Sequence, residues 1–165
     1  NNFEQAQGWI KRLRKNIAAK PGDHSQALSS LDELSANVTA QEQQAAQGIE
    51  VTVSIDGSLL PLVKAEDVLF VAIRDVKGGP PFAAKRLPIS VIKQGEATVS
   101  LSDLDAMMPE RTLKSARDEK VQLAVIARIS HSGNAIAESG DLSGNPVVIS
   151  ADQKQVNVEI NQQVP

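Results

Sequence analysis

Lys120-Val121-Gln122-Leu123-Ala124-Val125-Ile126-Ala127-Arg128-Ile129-Ser130 is the stretch whose reading decides the fold. Strict alternation puts Val121, Leu123, Val125, Ala127 and Ile129 on one face, which predicts a long β-strand. A slip of one residue would turn the whole apolar row into water, so its register is strongly specified. At roughly 1.5–3 kcal/mol for each large aliphatic side chain fully buried, the other strands are expected to face this row.

Upstream, Ile49, Val51, Val53 and Ile55 alternate with Glu50, Thr52, Ser54 and Asp56, a half-buried antiparallel strand with a wet outer face, ended by an Asp56-Gly57 turn. Val68 to Ile73 is apolar on both faces and is expected to be a central strand covered on each side. Lys77-Gly78-Gly79-Pro80-Pro81 breaks the chain strongly. Arg86 to Val91 reads as a strand that Pro88 confines to an edge or a bulge. Glu96 to Leu101 turns Ala97, Val99 and Leu101 inward. Ser102 to Asp105 opens a short turn or helix ending at Met107-Met108-Pro109, after which the long strand follows. Beyond the loops at 131–135 and 139–144, Val147 to Ile149 and Val156 to Ile160 close the set. About seven short strands without intervening helices predict a mainly β fold, an antiparallel β-sandwich of Ig-like, Greek-key type.

The first residues have a different period. Phe3, Ala6, Ile10, Leu13 and Ile17 step by three and four, an amphipathic helix with Trp9 beside its apolar stripe. Lys20-Pro21-Gly22-Asp23 is expected to stop it, and Asp23 to start a second helix carrying Leu28, Leu31, Leu34 and Val38. Thr39-Ala40-Gln41-Glu42 has capping-box spacing, so that helix is expected to break there and restart, running to Gly48. The switch of period near Gly48 divides a helical segment, 1–47, from a β-sandwich domain, 48–165. Two or three helices with one narrow stripe each are stable when stacked on neighbours, so the segment is expected to be the last unit of a helical repeat array.

With 41% hydrophobic and 22% charged residues, the 165-residue chain has the composition of a folded domain. Aromatics are only 2%, so the core must be aliphatic. The net charge is −3, but residues 1–20 hold Lys11, Arg12, Arg14, Lys15 and Lys20 against Glu4 alone. An acidic body with few rings argues against nucleic acid, which wants a basic track with interleaved aromatics. There is no cysteine, hence no disulfide, no thiolate nucleophile and no Cys zinc site. The longest apolar run, Val68 to Ile73, is far short of the ~18 residues of a membrane helix. The chain opens on Asn1 inside a helical pattern, without Met or signal peptide, and is expected to be a piece of something longer.

No reaction chemistry stands out. The two histidines, His24 and His131, fall in different predicted domains without Cys neighbours, so neither a metal nor another cofactor is expected. The Met107-Met108 pair is expected to plug a gap in the sandwich or to offer a partner an adaptable apolar contact. No serine sits in a nucleophile elbow, the carboxylate pairs fall in loops, and Gly78-Gly79-Pro80-Pro81 lacks the Lys and following helix of a phosphate loop. The chain is not expected to be an enzyme.

Six segments in order carry a family resemblance. They are Asp67-Val68-Leu69-Phe70-Val71-Ala72, Gly79-Pro80-Pro81, Ala84-Lys85-Arg86-Leu87-Pro88, Leu104 to Pro109, Ala127-Arg128-Ile129-Ser130 with Ser132-Gly133-Asn134-Ala135, and Gly140-Asp141-Leu142-Ser143-Gly144. Together they make residues 49–165 resemble the C-terminal periplasmic domain of the CcmI (CycH) family of cytochrome c-type biogenesis proteins, with the helices matching the end of its tetratricopeptide repeat region. The resemblance implies a non-enzymatic assembly or chaperone role in the bacterial machinery that attaches haem to apocytochromes c. It implies a periplasmic location for a protein anchored in the inner membrane. The partners it implies are apocytochrome c, which is held and presented to the haem ligation complex, and other maturation subunits.

Candidate partner contacts are Gly79, Pro80, Pro81, Met107, Met108, His131 and Asn134, with Trp9 on the helix, or else an open sheet edge that accepts a strand. Turn chemistry alone also accounts for the loop residues. Arg86 and Arg128, which interrupt apolar strands, read as outward-facing edge charges or as seats for a partner carboxylate. Two other readings compete: a small-ligand or glycan-binding sandwich, which usually shows exposed Trp or Tyr, and a purely structural cap on the repeats.

Overall fold

The computed structural model describes residues 2–19, 22–46, 48–150 and 152–165. Lys20 and Pro21 of the expected helix stop lie outside the described residues. The chain forms two compact units that divide at Ala46.

In the first unit α1 (Asn2–Ala18) packs on α2 (Ser25–Ala46), and Ile10 is buried. Gln7 Nε2 donates to Thr39 Oγ1 at 2.9 Å, and Ser35 Oγ donates back to Gln7 Oε1 at 3.2 Å. The break expected at Thr39 does not occur. Its hydroxyl donates to the Ser35 carbonyl one turn back at 3.0 Å, so the side chain serves the helix it sits in and is not available to cap a new one. Asp23 does lead into α2, accepting from the Ser25 N–H at 3.0 Å.

Among the described residues the second unit has eight strands: β1 (Ile49–Ile55), β2 (Val68–Asp75), β3 (Ala83–Pro88), β4 (Glu96–Leu101), β5 (Leu123–Ser130), β6 (Leu142–Gly144), β7 (Val147–Ile149) and β8 (Gln155–Gln163). They form one curled sheet in the order β3-β2-β5-β6-β8-β1-β4, with β7 also beside β5. The curl brings the two terminal strands together. Lys85 Nζ of β3 donates to the Ser100 carbonyl of β4 at 2.6 Å and pairs with Asp105 at 3.3 Å, so the sheet is nearly a closed barrel. The mainly β, Ig-like expectation with helices in front is borne out.

Three details differ from the sequence reading. First, β1 and β8 run parallel, Val51 beside Val156 and Val53 beside Val158, whereas all other pairs are antiparallel. Alternation specifies which face a strand buries and says nothing of its direction. Second, a short helix, α3 (Leu113–Asp118), precedes the long strand; Thr112 Oγ1 accepts from the Ser115 N–H, and Ser115 Oγ from the Thr112 N–H. Lys120 closes that helix with φ +54°, and the Val121 N–H donates to the Ala116 carbonyl, so β5 begins at Leu123 and not at Lys120. Third, β2 is central but is covered on one side only within its unit.

The core is the inward row of each strand. Val51, Val53, Leu69, Val71, Ile73, Val125, Ile129, Val158 and Ile160 are all fully buried, with Leu113 of α3 packed among them. Gly144 marks a register shift where β6 meets β8: a Cβ there would sit 2.3 Å from the Glu159 carbonyl oxygen. Removing apolar bulk or forcing backbone apart at these points should be costly. Leu69→Ala is expected to lower unfolding free energy by about 2–5 kcal/mol, and Gly144→Ala by at least about 1 kcal/mol, in urea titrations followed by far-UV circular dichroism. An unchanged midpoint for Gly144→Ala would show that the two backbones are not in contact.

Candidate functional site

The outer face of β3, β2 and β5 follows from register alone. Phe70 is paired across the ladders with Arg86 on one side and Arg128 on the other. Two residues along, Ala72 lies between Ala84 and Ile126, and two further on, Arg74 lies beside Ala124. Because Leu69, Val71 and Ile73 point into the core, these rows point out. Small side chains at Ala72 and Ala84 keep the middle row low, and Met107, Ala135 and the Gly79–Pro81 turn rise around it. The result is a groove of about 520 Å³ with a half-buried apolar floor.

Arg128 anchors one side of the groove. Its guanidinium lies 5.1 Å from the Phe70 ring centre, forms an ion pair with Asp141, and donates to the carbonyls of Asn134 at 2.9 Å and Ala135 at 2.7 Å. Asp141 is itself buried and also accepts from the backbone N–H groups of Glu138 at 3.0 Å and His131 at 3.2 Å. Burial by itself pushes this carboxyl up; the bonds from Glu138, His131 and Arg128 outweigh it and hold it below the ordinary carboxylate value. One carboxylate thus shapes the whole loop from 131 to 141.

On the other side, Arg111 Nε donates to the Pro80 carbonyl at 2.8 Å and its guanidinium lies 4.1 Å from the Phe82 ring centre. That contact fixes the Gly-Gly-Pro-Pro turn.

The groove walls are cationic. Arg74, Lys85, Arg86 and Arg128 line it with no acidic residue. Arg128 and Lys85 are paired with Asp141 and Asp105, whereas Arg74 and Arg86 have no ion-pair partner among the described residues. This stands against a β unit that is net acidic, with twelve Lys and Arg to fifteen Asp and Glu in residues 48–165.

Of the residues singled out in sequence, Gly79, Pro81 and Met107 come together on the groove. Pro80 contributes its carbonyl to Arg111, and Met108 is partly exposed just outside the groove lining. Asn134 supplies a carbonyl to Arg128 and its amide to Glu138 at 2.9 Å. His131 does not join them: its Nδ1 lies 2.8 Å from Oδ1 of the fully buried Asp67, pinning the end of β5 to the start of β2. Trp9 belongs to the helical unit, 64% exposed, with Arg12 5.8 Å from its ring centre. At the sheet edge, Lys85 bridges the seam between the terminal strands β3 and β4.

Sequence reasoning passed over Phe70, Ala72, Ile126 and Arg74. The available signal was a strand apolar on both faces, flanked by strands carrying arginines at outward positions. Among the described residues no group of three or more His, Cys, Asp or Glu side chains converges as metal ligands.

A family model described as the Ig-like domain of cytochrome c-type biogenesis protein H matches residues 49–161, the span that contains the groove. Over 133 residues the chain is 37% identical to a cytochrome c-type biogenesis protein CycH from Pseudomonas aeruginosa, covering 79% of this chain and 31% of that protein. The chain thus spans less than a third of that relative's length. An alternative pilotin from the type II secretion system of Vibrio cholerae is similar at a TM-score of 0.44, with 13% identity over 72% of this chain and 96% of that one.

The Arg128–Asp141 pair should be visible in the pH dependence of stability. The folded carboxyl titrates below its ordinary value of 3.8, so the pair stabilises above that pH and its contribution is lost as pH falls through and below it. Asp141→Asn is expected to cost about 3 kcal/mol near neutral pH, with the gap to wild type closing as urea titrations are taken below about pH 4. A gap that stays constant down to about pH 3 would show that the carboxylate charge is not what holds the loop.

Proposed function

The chain belongs to the cytochrome c-type biogenesis protein H family, and from that membership we propose that its β unit helps to hold apocytochrome c and present it to the haem ligation complex. The observation that carries this reading is the groove on β2, β3 and β5. Its half-buried Phe70, Ala72 and Ile126 floor, with unpaired Arg74 and Arg86 beside it, is a surface that gains by being covered. Fixed loops on either side make it a preformed seat, which limits the ordering cost of binding.

The role is one of binding and not of catalysis. Lacking cysteine, the chain cannot exchange thiols with an apocytochrome. In this reading α1 and α2 are the end of a tetratricopeptide repeat region, and the protein works in the periplasm beside other maturation subunits. The reading includes an inner-membrane tether for the whole protein; no described helix is long and apolar enough to cross a membrane.

The test is a titration of haem-free apocytochrome c against the immobilised 165-residue chain, with folded holocytochrome as comparison. Saturable binding of the apo form alone is expected, weakened roughly tenfold when Ala72→Leu and Ala84→Leu together raise the groove floor. Both positions face outward, so the doubly substituted chain should keep its unfolding midpoint. Failure to saturate, or equal binding of the folded holoprotein, would rule the reading out.

A further inference from the structure

We propose that the groove selects an acidic, apolar protein segment lying across the strands, with its carboxylates taken by Arg74 on one bank and Arg86 on the other. This deepens the reading above and rests on the groove being a contact surface.

The argument begins with spacing. Rows two residues apart on a strand are separated by roughly 7 Å, so the Arg86 row and Arg74 stand about 13 Å apart on either side of the Ala84–Ala72–Ile126 floor. A segment resting apolar side chains on that floor can reach one bank from each side with Asp or Glu. Charge accounting selects the sign. Arg128 is occupied by Asp141 and Lys85 by Asp105, whereas Arg74 and Arg86 are unpaired among the described residues. A guanidinium next to an apolar floor gains more from a carboxylate than one in open water, because covering the groove lowers the local dielectric.

Shape selects the class. Phe70, the one ring in the lining, already has Arg128 against it, which leaves no stacking platform for bases. A concave groove three side chains wide, with cations on both banks, fits a chain segment better than a flat membrane surface.

The experiment uses the whole 165-residue chain and fluorescein-labelled ten-residue peptides read by anisotropy. One peptide alternates Asp or Glu with Leu, a second replaces the acids by Asn and Gln, and a third replaces them by Lys. The acidic peptide is expected to bind with an affinity that falls as salt rises, and the amide peptide at least about tenfold more weakly. Arg74→Gln and Arg86→Gln should each weaken the acidic peptide by about 3- to 10-fold, and the double reversal Arg74→Glu with Arg86→Glu should transfer preference to the Lys peptide. Lys11→Gln with Lys15→Gln, on the basic helix α1, should change nothing.

Acidic-peptide binding that survives the double reversal, or that is lost with the α1 substitutions, overturns the proposal. So does reversal-sensitive binding to vesicles of anionic lipid without any to the peptides. Apocytochrome binding that is blocked by the raised floor but indifferent to both arginines would remove this inference and leave the functional reading standing. Acidic-peptide binding at the arginines without apocytochrome binding would do the opposite.

Discussion

The antiparallel ladder between β2 and β5, from Val68 opposite Ser130 to Asp75 opposite Leu123, is the constraint on which the rest of the β unit depends. Its inward positions place Leu69, Val71 and Ile73 against Ile129, Ala127 and Val125, the middle of the core. Its outward positions place Phe70 against Arg128 and Ala72 against Ile126, the middle of the groove. One register therefore sets both surfaces. A slip of a single residue would bury Arg74 or Arg128, whichever strand moved, and expose that strand's aliphatic row, a cost no loop rearrangement could offset.

Arg128 shows how a charge on such a ladder organises its surroundings. Placed on the outer face beside a phenyl ring, it is mostly shielded from water and satisfied by one carboxylate and two carbonyls. A buried pair of this kind contributes little net stability against an apolar replacement, because both ions lose hydration. What it does is select one loop conformation, since only that path brings Asp141 and the Asn134 and Ala135 carbonyls to the same guanidinium. The Asp67–His131 contact acts likewise at the end of the ladder, which is why His131 is spent on structure.

The seam between β3 and β4 bears on where a partner can sit. Lys85, on the terminal strand β3 at the rim of the groove, runs its amine sideways to the Ser100 carbonyl and Asp105. A charged side chain on a terminal strand discourages another chain from pairing there. The broad outer face of β2 is a surface of this unit that stays open beside that seam.

By itself the sequence determined the period of each segment: alternation fixed which residues of β1, β2, β4, β5 and β8 share a face, and the three-and-four spacing marked α1. These are local properties, decided by the pitch of a strand or helix. Only tertiary structure decided that β8 returns parallel to β1 and that one apolar face of β2 remains bare. Whether an apolar face is covered depends on what other strands bring to it from far along the chain. The groove exists because residues near 80, 107 and 135, unrelated in sequence, are carried to the rim of one sheet face by strand order and by Arg111 and Arg128, which hold the turn at Pro80 and the loop at Asn134 and Ala135 in place.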